Sequence, residues 1–301
     1  MAVTDTLTIA LWATNLEPAL ASLDDWVAGV ETMLVRAAGD GAALLVMPEY
    51  ACAQWLGFAP ALAAAAEIPW LAAQEAAAIA LLKPLVARHG VALVAGTIPH
   101  DGGDGRYTNR AHILHPDGRH ITQDKLALTP GERDPAAWCL APGAALKVQR
   151  IGPWRFAVVI CLDIELPALS SRLAILDLDF VVVPSMTRLA SGNARVFGCA
   201  KARAVELMTV VAAVGCIGER PTGGLPHANT SGAAIYLPCE EALGYLGLGP
   251  ATRIGDKADG LGPYLLCQDL PLGFVRGLRR AGAEVWPGAW NAAHLVIEDL
   301  P

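Results

Sequence analysis

Phe156-Ala157-Val158-Val159-Ile160-Cys161-Leu162-Asp163 sets an unbroken apolar, β-branched run directly before a thiol and a carboxylate. With Gly152-Pro153 as a turn upstream, the run from Trp154 to Ile160 reads as a strand buried on both faces. A reactive side chain just past such a strand stands where α/β sheets expose their sites. Two other segments end in the same way: Leu44-Leu45-Val46-Met47-Pro48 leads into Glu49, and Ile121-Thr122-Gln123-Asp124 leads into Lys125.

Outward from these points, the pattern alternates between strand and helix. Leu7 to Ala13 is a short apolar run, and Leu23, Trp26, Val27, Val30, Met33 and Leu34 follow at helical spacing. Ala42 to Met47 is a second strand, Ala72 to His89 a helix, and Val91 to Ile98 a third strand. That order implies a sheet with helices on its faces. Tyr107 to His115 and Arg119 to Gln123, joined at Pro116-Asp117-Gly118, read as a hairpin, as do Leu146 to Arg150 and Trp154 to Ile160. Some strands must therefore pair antiparallel. Helices over Pro167 to Leu176 and Asn193 to Met208 alternate with strands over Phe180 to Val183 and Thr209 to Ile217, and Ser231 to Leu237 adds another. The 301 residues carry no linker or charge block that divides them, so a single domain, 1–301, is expected, with the tail from about residue 265 serving oligomer contacts.

Composition excludes several classes of function. The net charge is −7, and the 22 basic residues are scattered, which argues against nucleic acid or an anionic membrane as partner. The mean hydropathy is +0.41, enough for a large core, yet the Ala-rich stretch from Ala59 to Ala87 is broken by Glu67, Pro69, Gln74, Glu75, Lys83 and Pro84. It reads as a helix of a soluble protein. The first residues lack a basic segment and a cleavage pattern, so no signal peptide is expected. Seven cysteines, mostly within apolar runs, fit reduced thiols in the cytoplasm.

Taken singly, Glu49, Lys125 and Cys161 each have a bland explanation as a solvated charge or a small core residue. Their combination is more specific. Pro48-Glu49, Lys125-Leu126-x-Leu128-Thr129-Pro130-Gly131-Glu132-Arg133 and Cys161-x-Asp163 occur in this order, accompanied by Tyr107-x-Asn109, Val183-Pro184-Ser185, Arg203-Ala204-x-Glu206 and Ser231-Gly232. In these segments the chain resembles the nitrilase superfamily of carbon-nitrogen hydrolases, from the first strand to about Leu237. The resemblance implies a four-layer α-β-β-α sandwich, a homodimer, no cofactor and a small-molecule amide substrate.

The chemistry asks for these residue types. Attack on an amide carbonyl needs a sulfur nucleophile, a base that can return its proton to the amine, and positive charge near the oxyanion. By the resemblance, Cys161 attacks, Glu49 carries the proton, and Lys125 with the backbone N–H of Leu162 stabilises the tetrahedral intermediate. A nearby ammonium and a following helix N-terminus are expected to favour the thiolate. Glu132 matches a second family glutamate near the nucleophile; pairing with Arg133 is its alternative role. Leu162, Ser185, Met186 and Thr187 are expected to contact substrate.

Other readings rest on less. His112, His115 and His120 flank a hairpin turn, with His112 and His115 on opposite strand faces, so no metal is expected. A papain-like thiol protease needs a histidine partner, for which His227 and His294 have no distinguishing context. Core packing is expected of the other six cysteines, and Arg203 with Glu206 is expected to form a structural i,i+3 pair. Leu162-Asp163, where nitrilases carry Trp-Glu, favours amide or carbamoyl substrates over nitriles; Ile164-Glu165-Leu166-Pro167 and Met186, in place of a Trp common after Pro-Ser, set the chain apart from the best-known amidases. A nitrilase and a non-catalytic binding member of the family remain the alternatives.

Overall fold

The computed structural model describes residues 5–219, 228–254, 260–290 and 292–296. In the first half of the chain lie β1 (Leu7–Trp12), α1 (Leu23–Gly39), β2 (Leu44–Met47), α2 (Ala64–His89), β3 (Ala92–Asp101), β4 (Tyr107–Leu114), β5 (His120–Asp124) and the single turn α3 (Pro130–Arg133). The second half carries β6 (Val148–Ile151), β7 (Trp154–Val158), α4 (Pro167–Leu173), β8 (Phe180–Ser185), α5 (Ala190–Glu206) and β9 (Val210–Gly215). It continues with β10 (Gly218–Glu219), β11 (Ala228–Asn229), β12 (Ala233–Tyr236), β13 (Leu248–Ala251), β14 (Tyr264–Leu270) and α6 (Leu272–Arg280).

Two six-stranded sheets result, ordered β14-β1-β2-β3-β4-β5 and β13-β12-β9-β8-β7-β6. Each has a parallel centre, β1-β2-β3 and β7-β8-β9, flanked by antiparallel strands. Period-two alternation of apolar side chains builds the layers. Ile9, Leu11, Leu44, Val46 and Val94 share one core with Phe156, Val158, Phe180 and Val182 of the second sheet. Their sequence neighbours Ala10, Trp12, Leu45, Met47 and Leu93 pack with Trp26, Val30 and Leu34 of α1 and Leu82 and Val86 of α2. The strands therefore read as continuous apolar runs because both faces are covered, and the architecture is the four-layer α-β-β-α sandwich.

Helix α2 departs from expectation. It starts at Ala64 and runs unbroken for 26 residues through Pro69 and Pro84, long and apolar enough by length and composition to cross a membrane. In the fold its Ile68, Leu71, Ile79, Leu82 and Val86 are buried in the helix layer of the first sheet. Residues Tyr264–Leu270, in the tail assigned to oligomer contacts, are built into the domain as the edge strand beside β1. Behind them, α6 is fastened by Arg276 and Arg279 to the buried Asp179. Two of the cysteines expected in the core, Cys139 and Cys239, are exposed instead. His112 Nδ1 lies 3.0 Å from His120 Nε2, and its other ring nitrogen lies 3.1 Å from Glu75 of α2.

Gly96 sets how closely β3 can approach the end of β2. It has φ +67°, and a Cβ there would lie 2.1 Å from the carbonyl oxygen of Pro48, the residue before Glu49. The next residue, Thr97, accepts a 2.9 Å hydrogen bond at Oγ1 from Tyr50 N–H. That contact between the two strands thus requires glycine. Gly96→Ala is expected to lower stability by about 1–3 kcal/mol from overpacking, in addition to the cost of its positive φ. Gly90→Ala, also at positive φ but facing open space, isolates the backbone cost, about 1–2 kcal/mol. Urea unfolding midpoints of the two variants check the difference.

Candidate active site

Glu49, Lys125, Cys161 and Met186 each follow a strand, β2, β5, β7 and β8 in turn, and line one cavity of about 220 Å³ with Tyr50, Thr129, Glu132, Trp138, Arg188 and Asn229. Of the residues expected at the site, Glu49, Lys125, Cys161, Glu132 and Met186 therefore meet. Ser185 and Thr187 lie outside the lining and are buried, with hydroxyls donating to Val214 O at 3.2 Å and Thr230 O at 2.9 Å. The half-buried side chain of Leu162 also lies outside it, so only its backbone N–H is left as a candidate contact.

Lys125 is the charge at the centre. Its side chain is 1% exposed, and Nζ donates to Glu49 Oε1 at 2.7 Å and to Glu132 Oε1 and Oε2 at 2.9 and 2.8 Å. Burial alone would favour a neutral amine, but the opposed charges of Glu49 and Glu132 raise its pKa and keep it an ammonium. Glu132 is held by a capping box on α3, in which Thr129 N–H donates to Oε2 at 2.8 Å and Glu132 N–H donates to Thr129 Oγ1. Tyr50 O–H and Asn109 Nδ2 donate to Glu132 Oε1 at 3.0 and 3.1 Å. Burial pushes this carboxyl up, but the Lys125 charge and these bonds bring it below the ordinary range. Glu132 thus faces Lys125, while Arg133 lies on the opposite, exposed side of the turn.

Glu49 is in a different state. Oε1 also accepts from Asn109 Nδ2 at 2.8 Å and Oε2 from Met186 N–H at 2.9 Å. Complete burial outweighs Lys125, and the charge of Glu132 adds to it, so the Glu49 pKa is raised. Their different surroundings leave Glu49 the more basic of the two carboxyls.

The turn at Cys161 is sharp. Cys161 has φ +50°, a left-handed conformation that costs a non-glycine residue free energy. Asp163 holds it there. Its carboxylate accepts Ile160 N–H at 3.0 Å, and Leu126 and Ala127 N–H at 3.2 and 2.7 Å. One side chain thereby ties the Cys161 turn to the Lys125 loop. Arg203 braces the other side, pairing with Glu206 at 2.8 Å as expected and also donating to Ile164 O at 3.1 Å.

The expected thiolate is corrected by this geometry. The ammonium of Lys125 is taken by Glu49 and Glu132, and only one tight turn, Cys161–Glu165, follows the nucleophile before the seven-residue α4. Burial, followed by the charge of Glu49, pushes the Cys161 thiol up, so its resting form is neutral.

Asn109, Tyr50 and Asp163 are site residues that the sequence does not single out. Asn109 and Asp163 lie in the motifs quoted for the resemblance, a signal that was present. Tyr50 (φ +52°), Trp138, Arg188 and Asn229 have no local pattern that marks them. His294 packs edge-on against Trp290, with centroids 5.8 Å apart, and His227 lies outside the described residues.

Burial raises the Asp163 pKa to about 6 despite its backbone donors. A raised pKa means that the folded state holds the proton more tightly than the unfolded chain. The associated stability is present below about pH 4 and is lost as pH rises through 6. Relative to Asp163→Asn, the parent should lose on the order of 3 kcal/mol between pH 4 and 7. Urea titrations of both proteins across that range measure it; a constant difference contradicts the raised pKa.

Residues 8–246 match the profile of the carbon-nitrogen hydrolase family. The chain is 29% identical over 189 residues to omega-amidase NIT2 of Danio rerio, covering 60% of this chain and 65% of that protein. It is 28% identical over 162 residues to a probable hydrolase, YhcX, of Bacillus subtilis (strain 168), covering 54% of this chain but only 31% of the relative's length. The fold is similar to that of the amidase from Nesterenkonia sp. AN1. A variant in complex with acrylamide superposes with TM-score 0.69, 21% identity and 93% and 96% coverage of the two chains. Another, with the acetamide moiety of fluoroacetamide added covalently at the active site cysteine, gives TM-score 0.69 and 21% identity over 93% and 97%.

Proposed function

The chain belongs to the carbon-nitrogen hydrolase family, and we propose that it hydrolyses a small-molecule amide or N-carbamoyl compound through a thioester on Cys161. The observation that carries the reading is the placement of Glu49, which bonds Lys125 and Met186 N–H and lines the same cavity as the Cys161 thiol. A buried carboxylate of raised pKa beside a neutral thiol is a base matched to its task.

In this reading the Cys161 sulfur attacks the carbonyl carbon as its proton passes to Glu49. The tetrahedral intermediate collapses with C–N cleavage, and Glu49 gives that proton to the departing nitrogen. Water then attacks the thioester, losing a proton to Glu49, and the proton returns to sulfur as the C–S bond breaks. Charge builds on the carbonyl oxygen in both halves. The N–H of Leu162 supplies a donor there, and Lys125, whose contacts are carboxylates, acts through its positive charge. Glu132, fixed by Thr129, Tyr50 and Asn109, keeps Lys125 charged and in place.

A cytoplasmic setting fits seven cysteines, none of which is in a disulfide. A homodimer follows from the family resemblance, and exposed apolar side chains such as Ile175, Leu246 and Ile254 give it surface to use.

Ammonia release and intact-mass spectrometry across amides, N-carbamoyl compounds and nitriles test the reading. An acyl adduct on Cys161 with amide turnover is expected; turnover of nitriles alone would make the chain a nitrilase, and neither adduct nor turnover would favour a binding role. Cys161→Ala should abolish turnover, and Glu49→Gln should lower kcat/KM by about 10²–10⁴-fold. Because Glu49 must be ionised to accept the proton, kcat/KM should fall with decreasing pH along a limb above the ordinary glutamate range.

A further inference from the structure

Two nitrogen atoms stand between the buried carboxylates. Lys125 Nζ donates to Glu49 Oε1 at 2.7 Å and to Glu132 Oε1 at 2.9 Å. Asn109 Nδ2 donates to the same two oxygens, at 2.8 and 3.1 Å. The four atoms close a ring in which donors and acceptors alternate, and each amide hydrogen of Asn109 serves a different glutamate. Asn109 is fully buried in β4, and its backbone carbonyl accepts Lys125 N–H at 2.8 Å. One residue thus engages all three charged groups.

The two anions also fix which way the amide faces. Among the described residues, Asn109 Oδ1 is buried without a hydrogen-bond partner. Turning the amide over would point that oxygen at both carboxylates, so the orientation is set by charge. Packing alone gives no reason for an asparagine, since a buried oxygen left without a donor is unfavourable. Contact with substrate gives none either, because Asn109 does not border the cavity.

What its two bonds prevent follows from the surroundings. Burial and the charge of Glu132 both push Glu49 toward protonation. Two carboxyls that close on each other in a buried site join by a short O–H···O⁻ bond and hold one proton in common. The other groups facing the pair do not stand between them: Tyr50 O–H and Thr129 donate to Glu132 only, Met186 N–H donates to Glu49 only, and Cys161 lies across the cavity lining. Besides Lys125, Asn109 alone bridges the two among the described residues.

We propose that Asn109 is a positioning residue that keeps Glu49 and Glu132 from sharing a proton, so that Glu49 alone is left to take the proton of the Cys161 thiol. This rests on the amide-hydrolase reading, in which Glu49 is the base.

Two pH profiles test it, kcat/KM for an amide and the rate at which iodoacetamide alkylates Cys161. The second needs no turnover and is followed by peptide mass mapping, with the exposed Cys139 and Cys239 as internal references. In Asn109→Leu the acidic limb of both profiles should move up by about one to two pH units, the range of a lost hydrogen bond to a charged group. The loss should fall on kcat, with KM little changed. Asn109→Ser, which keeps one donor, should move the limb less, and it carries the same comparison should the leucine variant not fold. In a Glu132→Gln background there is no second carboxyl to share a proton, so adding the Asn109 substitution should move the alkylation limb clearly less than it does in the parent. An unmoved limb, equal shifts in the two backgrounds, or a loss confined to KM overturns the role of Asn109. Alkylation that shifts as stated while the parent turns over no amide or carbamoyl compound overturns the hydrolase reading and leaves that role standing.

Discussion

A buried ammonium between two buried carboxylates is the constraint around which the rest is arranged. Removing three charges from water is costly unless each finds compensating charge and hydrogen bonds. Lys125 makes three contacts on Glu49 and Glu132; the remaining carboxylate oxygen, Glu49 Oε2, is met by Met186 N–H, and Asn109, Tyr50 and Thr129 donate to oxygens that Lys125 also contacts. These partners come from β4, the turn after β2, the cap of α3 and the end of β8. Satisfying one buried cation therefore fixes four strand ends relative to each other, and with them the floor of the cavity.

The same network divides labour between two residues of one chemical type. Glu132 accepts a capping-box N–H and two side-chain donors as well as the lysine, and is pushed toward its ionised form. Glu49 is wholly buried beside a second negative charge and is pushed toward protonation. Environment thus shifts two carboxyls of one chemical type in opposite directions. The nucleophile turn is held in an equivalent manner: the unfavourable left-handed Cys161 is kept by the Asp163 clamp on one side and the Arg203 brace on the other.

Much of this is legible in the chain. Continuous apolar runs such as Leu44 to Met47 and Phe156 to Ile160 imply strands covered on both faces, and reactive side chains directly after them imply a site at the strand ends. The start of α2 is hidden because Pro69, the sixth residue of the helix, reads as a break; burial of Ile68 and Leu71 on either side of it holds the helix together, as that of Leu82, Leu85 and Val86 does around Pro84. The edge strand Tyr264–Leu270 is equally hidden because its partner, β1, lies more than 250 residues away; only pairing, not local pattern, identifies it.

Sequence by itself determined the order of most strands and helices, because apolar periodicity is a local property, and its resemblance to the nitrilase superfamily pointed to Glu49, Lys125, Cys161 and Glu132. Tertiary structure decided the protonation states, since a thiol expected to be ionised is neutral once burial and Glu49 outweigh a lysine already engaged by carboxylates. It decided too that Ser185 and Thr187 fasten backbone while Asn109, Tyr50 and Arg188, distant in the chain, complete the cavity and its network. Electrostatic environment depends on which groups are brought within a few ångströms, and that is a property of the fold rather than of any segment.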